Sequence, residues 1–214
     1  MAGMKITKYG HACLLVEEAG VRVLIDPGEY SVLPDSLSDV ALILITHEHE
    51  DHYQLGTIEQ VLKRSQGGQI ITNSAVGKKL LAAGVDHQVI EGGQSITVHG
   101  LTIEGEGELH AVLHDEWPRC ANTGYRIGGR LFHPGDSLEL PTLPVEILAL
   151  PVAGPWMYVG MGIDYARAVA PKVAFPIHDG MLKKLTSTNR LPLELLPKSG
   201  VEVKILEIGQ EYEF

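Results

Sequence analysis

One short stretch, THEHEDH at residues 46–52, constrains this chain more than any other part of it. It directly follows the uninterrupted apolar run VALILI at residues 40–45, which is typical of a strand buried on both faces. Side chains two residues apart in an extended turn point the same way, so His47 and His49 can share one metal ion. Imidazole and carboxylate are ligands that zinc accepts, at about 2.0–2.2 Å. The stretch therefore predicts metal binding at the end of a buried strand.

The other four charged or titratable residues of this stretch divide into two pairs. Asp51 and His52 lie further round the turn and can reach a second ion. Glu48 and Glu50 would point away from the first two histidines, so we interpret them as solvated side chains. The stretch alone thus predicts ligands for two ions.

Further candidate ligands follow other predicted strands. They are His110 after residues 101–109, Asp136 after residues 130–132, and His178 after residues 173–177. Ligands that leave the ends of several strands can converge at one edge of a rigid scaffold. His114, four residues beyond His110, is an alternative third histidine. We favour His110 because it ends its predicted strand directly.

The order of predicted elements indicates two packed sheets with helices outside. Short strand-like runs dominate both halves of the chain, and a strand at residues 201–207 closes it. Helical patterns interrupt the strands at residues 55–64, 75–83, 163–170 and 181–188. No linker, repeat or charge block divides the chain, so one domain over residues 1–214 is predicted. An α/β (α+β) class with mixed sheets packed face to face satisfies this order.

Composition excludes several classes of partner. The 214 residues carry a formal charge of −10, which disfavours binding to a phosphate backbone. No apolar run approaches the roughly 20 residues that a membrane-spanning helix needs. The two cysteines are too few for a disulfide framework, and the N-terminus lacks the pattern of a signal peptide. We therefore expect a cytoplasmic protein with a small-molecule substrate and no nucleic-acid or membrane partner.

These motifs resemble the metallo-β-lactamase superfamily. The family's His-x-His-x-Asp-His motif matches residues 47–52, and its upstream aspartate at a strand end matches Asp26. Its third histidine, bridging aspartate and last histidine match His110, Asp136 and His178. The resemblance covers nearly the whole chain and implies a four-layer αββα sandwich, the metallo-β-lactamase fold.

The resemblance also implies an assignment of ligands. One ion is expected on His47, His49 and His110, and the second on Asp51, His52 and His178. Asp136 would bridge both ions, and Asp26 would orient the loop or a ligand imidazole from behind. The expected cofactors are two divalent metal ions, Zn²⁺ above all, with Mn²⁺ or Fe²⁺ as alternatives.

The implied activity is hydrolysis by a hydroxide that bridges the two metal ions. Asp51 and Asp136 would be the catalytic residues, with Asp51 orienting the nucleophile and passing a proton to the leaving group. The expected substrate is a small, anionic ester, lactone or phosphoester. The compact build is most similar to the group that contains ascorbate-6-phosphate lactonase.

Two other functions stay open. One is an oxidative enzyme with a single iron, similar to the persulfide dioxygenases of the same superfamily. The other is a non-catalytic domain that metal stabilises. Diiron oxygen-reducing relatives carry glutamate at the second histidine of the motif, and His49 here argues against that class.

Predictions also cover several residues outside the ligand set. Residues 117–119 and 154–158, the latter with Trp156, could shape a substrate pocket, with Arg119 as an anion contact. His133 is expected either to support the ligands or to face the substrate. Three remaining histidines are interpreted as ordinary surface or packing residues: His11, His87 and His99.

Overall fold

The computed structural model describes residues 3–214 and contains two mixed sheets of seven strands each. In the first sheet the spatial order is β14-β1-β2-β3-β4-β5-β6. Its strands are β1 (Lys5–Lys8), β2 (Leu14–Glu18), β3 (Val21–Ile25), β4 (Leu42–Ile45), β5 (Gln69–Thr72), β6 (Gln88–Val89) and β14 (Glu211–Glu213). Strands β3, β4 and β5 run parallel to one another.

The second sheet has the order β13-β12-β11-β10-β9-β8-β7. Its strands are β7 (Ser95–Val98), β8 (Leu101–Glu106), β9 (Gly124–Ile127), β10 (Leu131–His133), β11 (Ile147–Pro151), β12 (Val173–Ile177) and β13 (Glu202–Val203). Strands β10, β11 and β12 are parallel.

Four helices cover the outer faces of the two sheets. They are α1 (Leu55–Arg64), α2 (Ser74–Ala82), α3 (Val159–Val169) and α4 (Thr186–Leu195). One apolar cluster lies between the sheets, a second joins the first sheet to α1 and α2, and a third joins the second sheet to α3 and α4. The predicted four-layer αββα sandwich of the metallo-β-lactamase fold is confirmed.

Strand β4 shows why the apolar run before the motif has no polar positions. Leu42 and Leu44 face the core between the sheets, whereas Ile43 and Ile45 pack under α1 and α2. All four side chains are buried, because a strand covered on both faces has no solvent side. The strand thus delivers the motif from the interior of the first sheet.

The C-terminal third differs from the prediction in three places. Helix α3 begins at Val159, four residues before the predicted start at residue 163. The helix predicted at residues 181–188 is wrong for most of its length, since α4 begins only at Thr186. The 178–180 segment before it is held by two contacts that no local pattern encodes, from Lys8 to Asp179 and from Gly180 to His11. The strand predicted at residues 201–207 is instead the short β13, and the chain then crosses to the first sheet to form β14.

The sheet topology places the predicted ligands at one edge. Strands β1, β3 and β4 run in the same direction, because two antiparallel pairings relate β1 to β3 through β2. The same holds for β8, β10, β11 and β12 in the second sheet. Residues that follow these strands therefore gather at the same end of each sheet.

Among residues 3–214, none of the helices has both the length and the apolar character that a membrane-spanning helix needs.

Candidate metal centre

The first group of predicted ligands converges where the two sheets meet. His47, His49, His110 and Asp136 offer ligand atoms that all lie within 4.8 Å of one another. Nε2 of His47 lies 3.1 Å from Nδ1 of His49, and Nε2 of His110 lies 3.3 Å from Oδ2 of Asp136. The outer nitrogen of His49 faces the thiol of Cys120, at 3.6 Å. This group can hold one metal ion.

A second group lies against the first. Asp51, His52 and His178, together with His11, offer ligand atoms within 4.8 Å of one another. Asp136 also contacts this group, since its two oxygens lie 3.1 Å from His52 Nε2 and 2.8 Å from His178 Nε2. The structure thus brings all seven predicted ligands together and places Asp136 between the two groups.

Two glutamates of the motif and the alternative third histidine lie outside both groups. Glu48 forms an ion pair with Lys79 at 3.1 Å, and Glu50 is exposed. His114 is exposed as well and belongs to neither group, whereas His110 is buried within the first. The geometry therefore favours His110 over His114 as the third histidine.

The donor set fits divalent metal ions. Four buried atoms in the cluster make no hydrogen bond: Nε2 of His52, His110 and His178, and Oδ1 of Asp136. Their approaches to one another lack the angles of hydrogen bonds. Buried polar atoms without partners are costly, and here they point at a common centre. Lone pairs of imidazole and carboxylate that meet in this way are what a metal ion requires.

Outer contacts set the tautomer of three of these histidines. Nδ1 of His52 donates to Oδ2 of Asp26 at 2.7 Å, Nδ1 of His110 to the Ala111 carbonyl at 2.7 Å, and Nδ1 of His178 to the Ala153 carbonyl at 2.6 Å. Because each Nδ1 faces an acceptor oxygen, it carries the proton in the neutral ring. Each Nε2 therefore keeps its lone pair directed into the cluster.

The cluster shifts the pKa values of its members strongly. Burial alone would lower the pKa of His178, but the neighbouring Asp136 carboxylate raises it to about 9. Burial would raise the pKa of Asp136, yet the charges of His52 and His178 hold it well below its usual range. Protons and metal ions compete for the same imidazole nitrogens, so metal binding here must release protons.

Asp26 supports the motif from behind, as the resemblance implied. It is fully buried and accepts hydrogen bonds from the backbone N–H of Thr46 and the Thr46 hydroxyl, both at 2.8 Å. It also accepts the hydrogen bond from His52 described above. The carboxylate therefore fixes both the start of the motif and the orientation of one predicted ligand.

Two residues predicted to shape a substrate pocket contact the cluster or its supporting segment instead of open space. Trp156 is buried and donates from Nε1 to Oδ2 of Asp136 at 3.1 Å, so its indole packs on the cluster. Arg119 donates to the carbonyls of His110 and Leu109 and pairs with Glu139, so the guanidinium holds the His110 segment and does not serve as a free anion contact.

Of the two roles expected for His133, its burial and contacts agree with support of the ligands. Its Nε2 donates to the Ala12 carbonyl at 2.9 Å, and its Nδ1 accepts from the backbone of Gly135 at 3.2 Å. The ring thus stabilises the turn that carries Asp136.

The interpretation of His11 as an ordinary residue is wrong. Its Nε2 lies 3.1 Å from Oδ2 of Asp51, inside the second group. The sequence did contain a signal, because His11 follows β1 as the predicted ligands follow their strands. That signal becomes visible only when the direction of β1 in the sheet is known.

A glycine permits the close approach on which the motif depends. A Cβ atom at Gly28 would lie 1.9 Å from the backbone carbon and oxygen of Asp51. We expect Gly28→Ala to displace this backbone, to lower the free energy of unfolding by about 1–3 kcal/mol, as overpacking does, and to weaken metal binding by the second group. Urea unfolding and metal content measure the two effects.

The matched control is Gly56→Ala in α1, where a Cβ atom meets nothing within 4 Å. Alanine there is expected to raise the unfolding free energy by up to about 1 kcal/mol, because it favours the helix over glycine. If Gly28→Ala had the stability and the metal content of the wild type, the proposed steric role of Gly28 would be contradicted.

Comparisons with known proteins agree with this geometry. A family model described as the beta-lactamase superfamily domain matches residues 5–178. The chain is 33% identical over 209 residues to protein Rv0786c of Mycobacterium tuberculosis, across 91% of this chain and 97% of that protein. It is also 29% identical over 233 residues to a UPF0173 metal-dependent hydrolase of Methanopyrus kandleri. That match covers 98% of this chain and 100% of the other protein.

Solved structures show the same fold. A protein described as a metal-dependent hydrolase from Parabacteroides distasonis aligns with a TM-score of 0.77 and 25% identity, over 96% of this chain and 93% of that one. The family match spans most of the chain and includes every predicted ligand. The chain therefore belongs to the metallo-β-lactamase superfamily, as one of its metal-dependent hydrolases.

Proposed function

We propose that this chain is a hydrolase with two metal ions that cleaves a small, anionic ester, lactone or phosphoester. The observation that carries the proposal is the position of Asp136. Its carboxylate lies within 3.3 Å of His110 in the first group and within 3.1 Å of His52 and His178 in the second. A single buried carboxylate in contact with two sets of ligands supports a pair of ions that share it.

The residues divide between the ions as the resemblance implied. His47, His49 and His110 would hold one ion, and Asp51, His52 and His178 the other, with Asp136 contacting both. When bound, such ions polarise the oxygen under attack and lower the pKa of water to around 7. Zinc is the proposed metal because imidazoles dominate the donor set.

Charge supports an anionic substrate. Two divalent ions outweigh the two carboxylates among the proposed ligands, so the centre keeps a net positive charge. Such a centre attracts an anionic group and stabilises the oxyanion that develops during hydrolysis of an ester or phosphoester. The acidic surface, with a net charge of −10, favours a small molecule over a nucleic acid.

The side chains divide the chemical work. Asp51 is the least buried carboxylate of the cluster, with 19% of its side chain exposed, against 2% for Asp136. It can therefore meet substrate and water, take a proton from the attacking water and deliver it to the leaving group. The buried Trp156 covers Asp136 and excludes water from that side of the cluster.

A substrate panel tests the function. The zinc-loaded protein would be assayed with a sugar-phosphate lactone, an acyl-homoserine lactone, a thioester and a bis-aryl phosphodiester. We expect turnover of one class, its loss in His49→Ala, and its retention in His114→Ala. The second variant is a matched control, since His114 is an exposed histidine outside both groups.

The other outcomes separate the alternatives. Protein that holds two ions per chain but turns over none of the panel would reject these substrate classes. Thiol-dependent oxygen uptake by protein with a single iron would instead support the persulfide-dioxygenase-like function. An inactive protein whose melting temperature falls on metal removal would support a metal-stabilised domain.

A further inference from the structure

His11 connects the two segments that supply the second group of ligands. Its Nε2 lies 3.1 Å from Oδ2 of Asp51, in the motif after β4. Its Nδ1 accepts a hydrogen bond from the backbone N–H of Gly180 at 3.0 Å, and its carbonyl accepts one from the N–H of His178, also at 3.0 Å. The side chain is fully buried. It therefore spans from the first sheet's motif to the loop after β12 in the second sheet.

The contact with Gly180 determines which nitrogen of His11 carries the proton. A backbone N–H can only donate, so Nδ1 of His11 must present its lone pair to Gly180. In the neutral ring the proton then resides on Nε2. That nitrogen faces Asp51 as a donor, and it has no lone pair left for a metal ion.

The other histidines of the second group show the opposite arrangement. The outer Nδ1 of His52 faces the carboxylate of Asp26, and the outer Nδ1 of His178 faces the Ala153 carbonyl. Both outer partners are acceptors, so the inward Nε2 of each ring keeps a lone pair. His11 differs because its outer partner is a donor. Three histidines share this space with Asp51, and their outer contacts divide them into two candidate ligands and one hydrogen-bond donor.

The surrounding backbone leaves His11 little freedom to turn away. A Cβ atom at position 180 would lie 2.9 Å from Cβ of His11, so the two segments touch directly. The His11 ring also packs on that of His178, with 4.1 Å between the centroids. His11 itself has a φ of 41°, in the left-handed region, which aims its side chain into the cluster.

We propose that His11 is a positioning residue that donates a hydrogen bond to Asp51 and does not bind metal itself. By holding Oδ2 of Asp51 at 3.5 Å from Nε2 of His178, it sets the spacing of two ligands that come from different sheets. This inference rests on the proposed function, because it concerns the ion held by Asp51, His52 and His178.

Two substitutions separate the roles of donor, ligand and packing group. His11→Phe keeps a planar ring but has no donor for Asp51. His11→Gln keeps an amide N–H that can reach Asp51, but it is a poor zinc ligand. Metal affinity would be measured by competition with a chromogenic chelator and resolved into first and second ions. Absorption of the cobalt-loaded protein would report the coordination of each site, and thermal unfolding would verify that both variants fold.

We expect His11→Phe to weaken binding of the second ion by about 10–100-fold, the usual effect of losing a residue that orients a ligand. Binding of the first ion should stay unchanged. His11→Gln should recover most of the loss, with the cobalt spectrum of the wild type, because the ligand set is the same.

Two results would overturn the inference alone. If both variants lose the second ion and its cobalt bands, His11 is itself a ligand. If His11→Phe binds both ions as tightly as the wild type and only its melting temperature falls, His11 is a packing residue. Wild-type protein that binds fewer than two ions would instead overturn the proposed function, and this inference with it.

Discussion

Replacing Asp136 with asparagine is expected to abolish hydrolysis and to reduce metal content below that of the wild type. The carboxylate is 2% exposed and lies 2.8 Å from His178 Nε2 and 3.3 Å from His110 Nε2. Asparagine has almost the same shape, but it lacks the negative charge that offsets the cations around it. Both groups of ligands should lose metal affinity together, because Asp136 contacts both. No other single substitution in the cluster should have this effect.

The measurements are metal content after dialysis and turnover of the substrate found in the panel. Asp164→Asn is the matched control, because that aspartate lies on α3 with 76% of its side chain exposed. It should change neither quantity. Retention of two tightly held ions in Asp136→Asn would show that this carboxylate is not shared between them.

Asp26→Ala is expected to be the most destabilising substitution behind the cluster. It leaves two donors of Thr46 and one of His52 buried without their acceptor. Removing one partner of a buried charged network costs about 3–5 kcal/mol. For a chain of this length that loss lowers the melting temperature by roughly 6–20 °C.

Chemical and thermal unfolding of the metal-free protein measure this effect without a contribution from bound ions. Asp35→Ala serves as the control, since its side chain is fully exposed and its ion pair with Arg64 lies at the surface. Equal stability of the two variants would mean that water replaces the carboxylate of Asp26. Activity should fall as well, because His52 loses the contact that sets its tautomer.

Local patterns in the sequence predicted much of the framework. Helix α1 has the predicted bounds, and α2 differs from its predicted range by one residue at each end. Apolar periodicity and nearby glycines are sufficient for such elements, because each is specified by neighbours in the chain. Helix α4 was misplaced because the 178–180 segment before it is held by Lys8 of β1 and by His11 after β1, both far away in sequence.

The seven candidate ligands could be named because ligand chemistry and predicted strand ends are both visible in sequence. The motif alone predicted ligands for two ions, whereas the assignment of His110, Asp136 and His178 to those ions was implied by resemblance. His110 was favoured, with His114 as the alternative. The structure brings His110 into the cluster and leaves His114 exposed. The reason is the path of the chain after β8. The spacing of four residues between His110 and His114 does not predict that path.

By itself, the sequence determined the class of fold, the motif after β4 and the residue types that can bind metal. Only the tertiary structure decided that His11 belongs to the cluster, that Trp156 covers Asp136, and that Arg119 is occupied by backbone carbonyls. The physical reason is that a residue's chemistry is local, whereas the partner of each nitrogen and oxygen depends on segments brought together by folding. For His11 that partner is an N–H 169 residues away, and it makes the ring a donor and not a ligand.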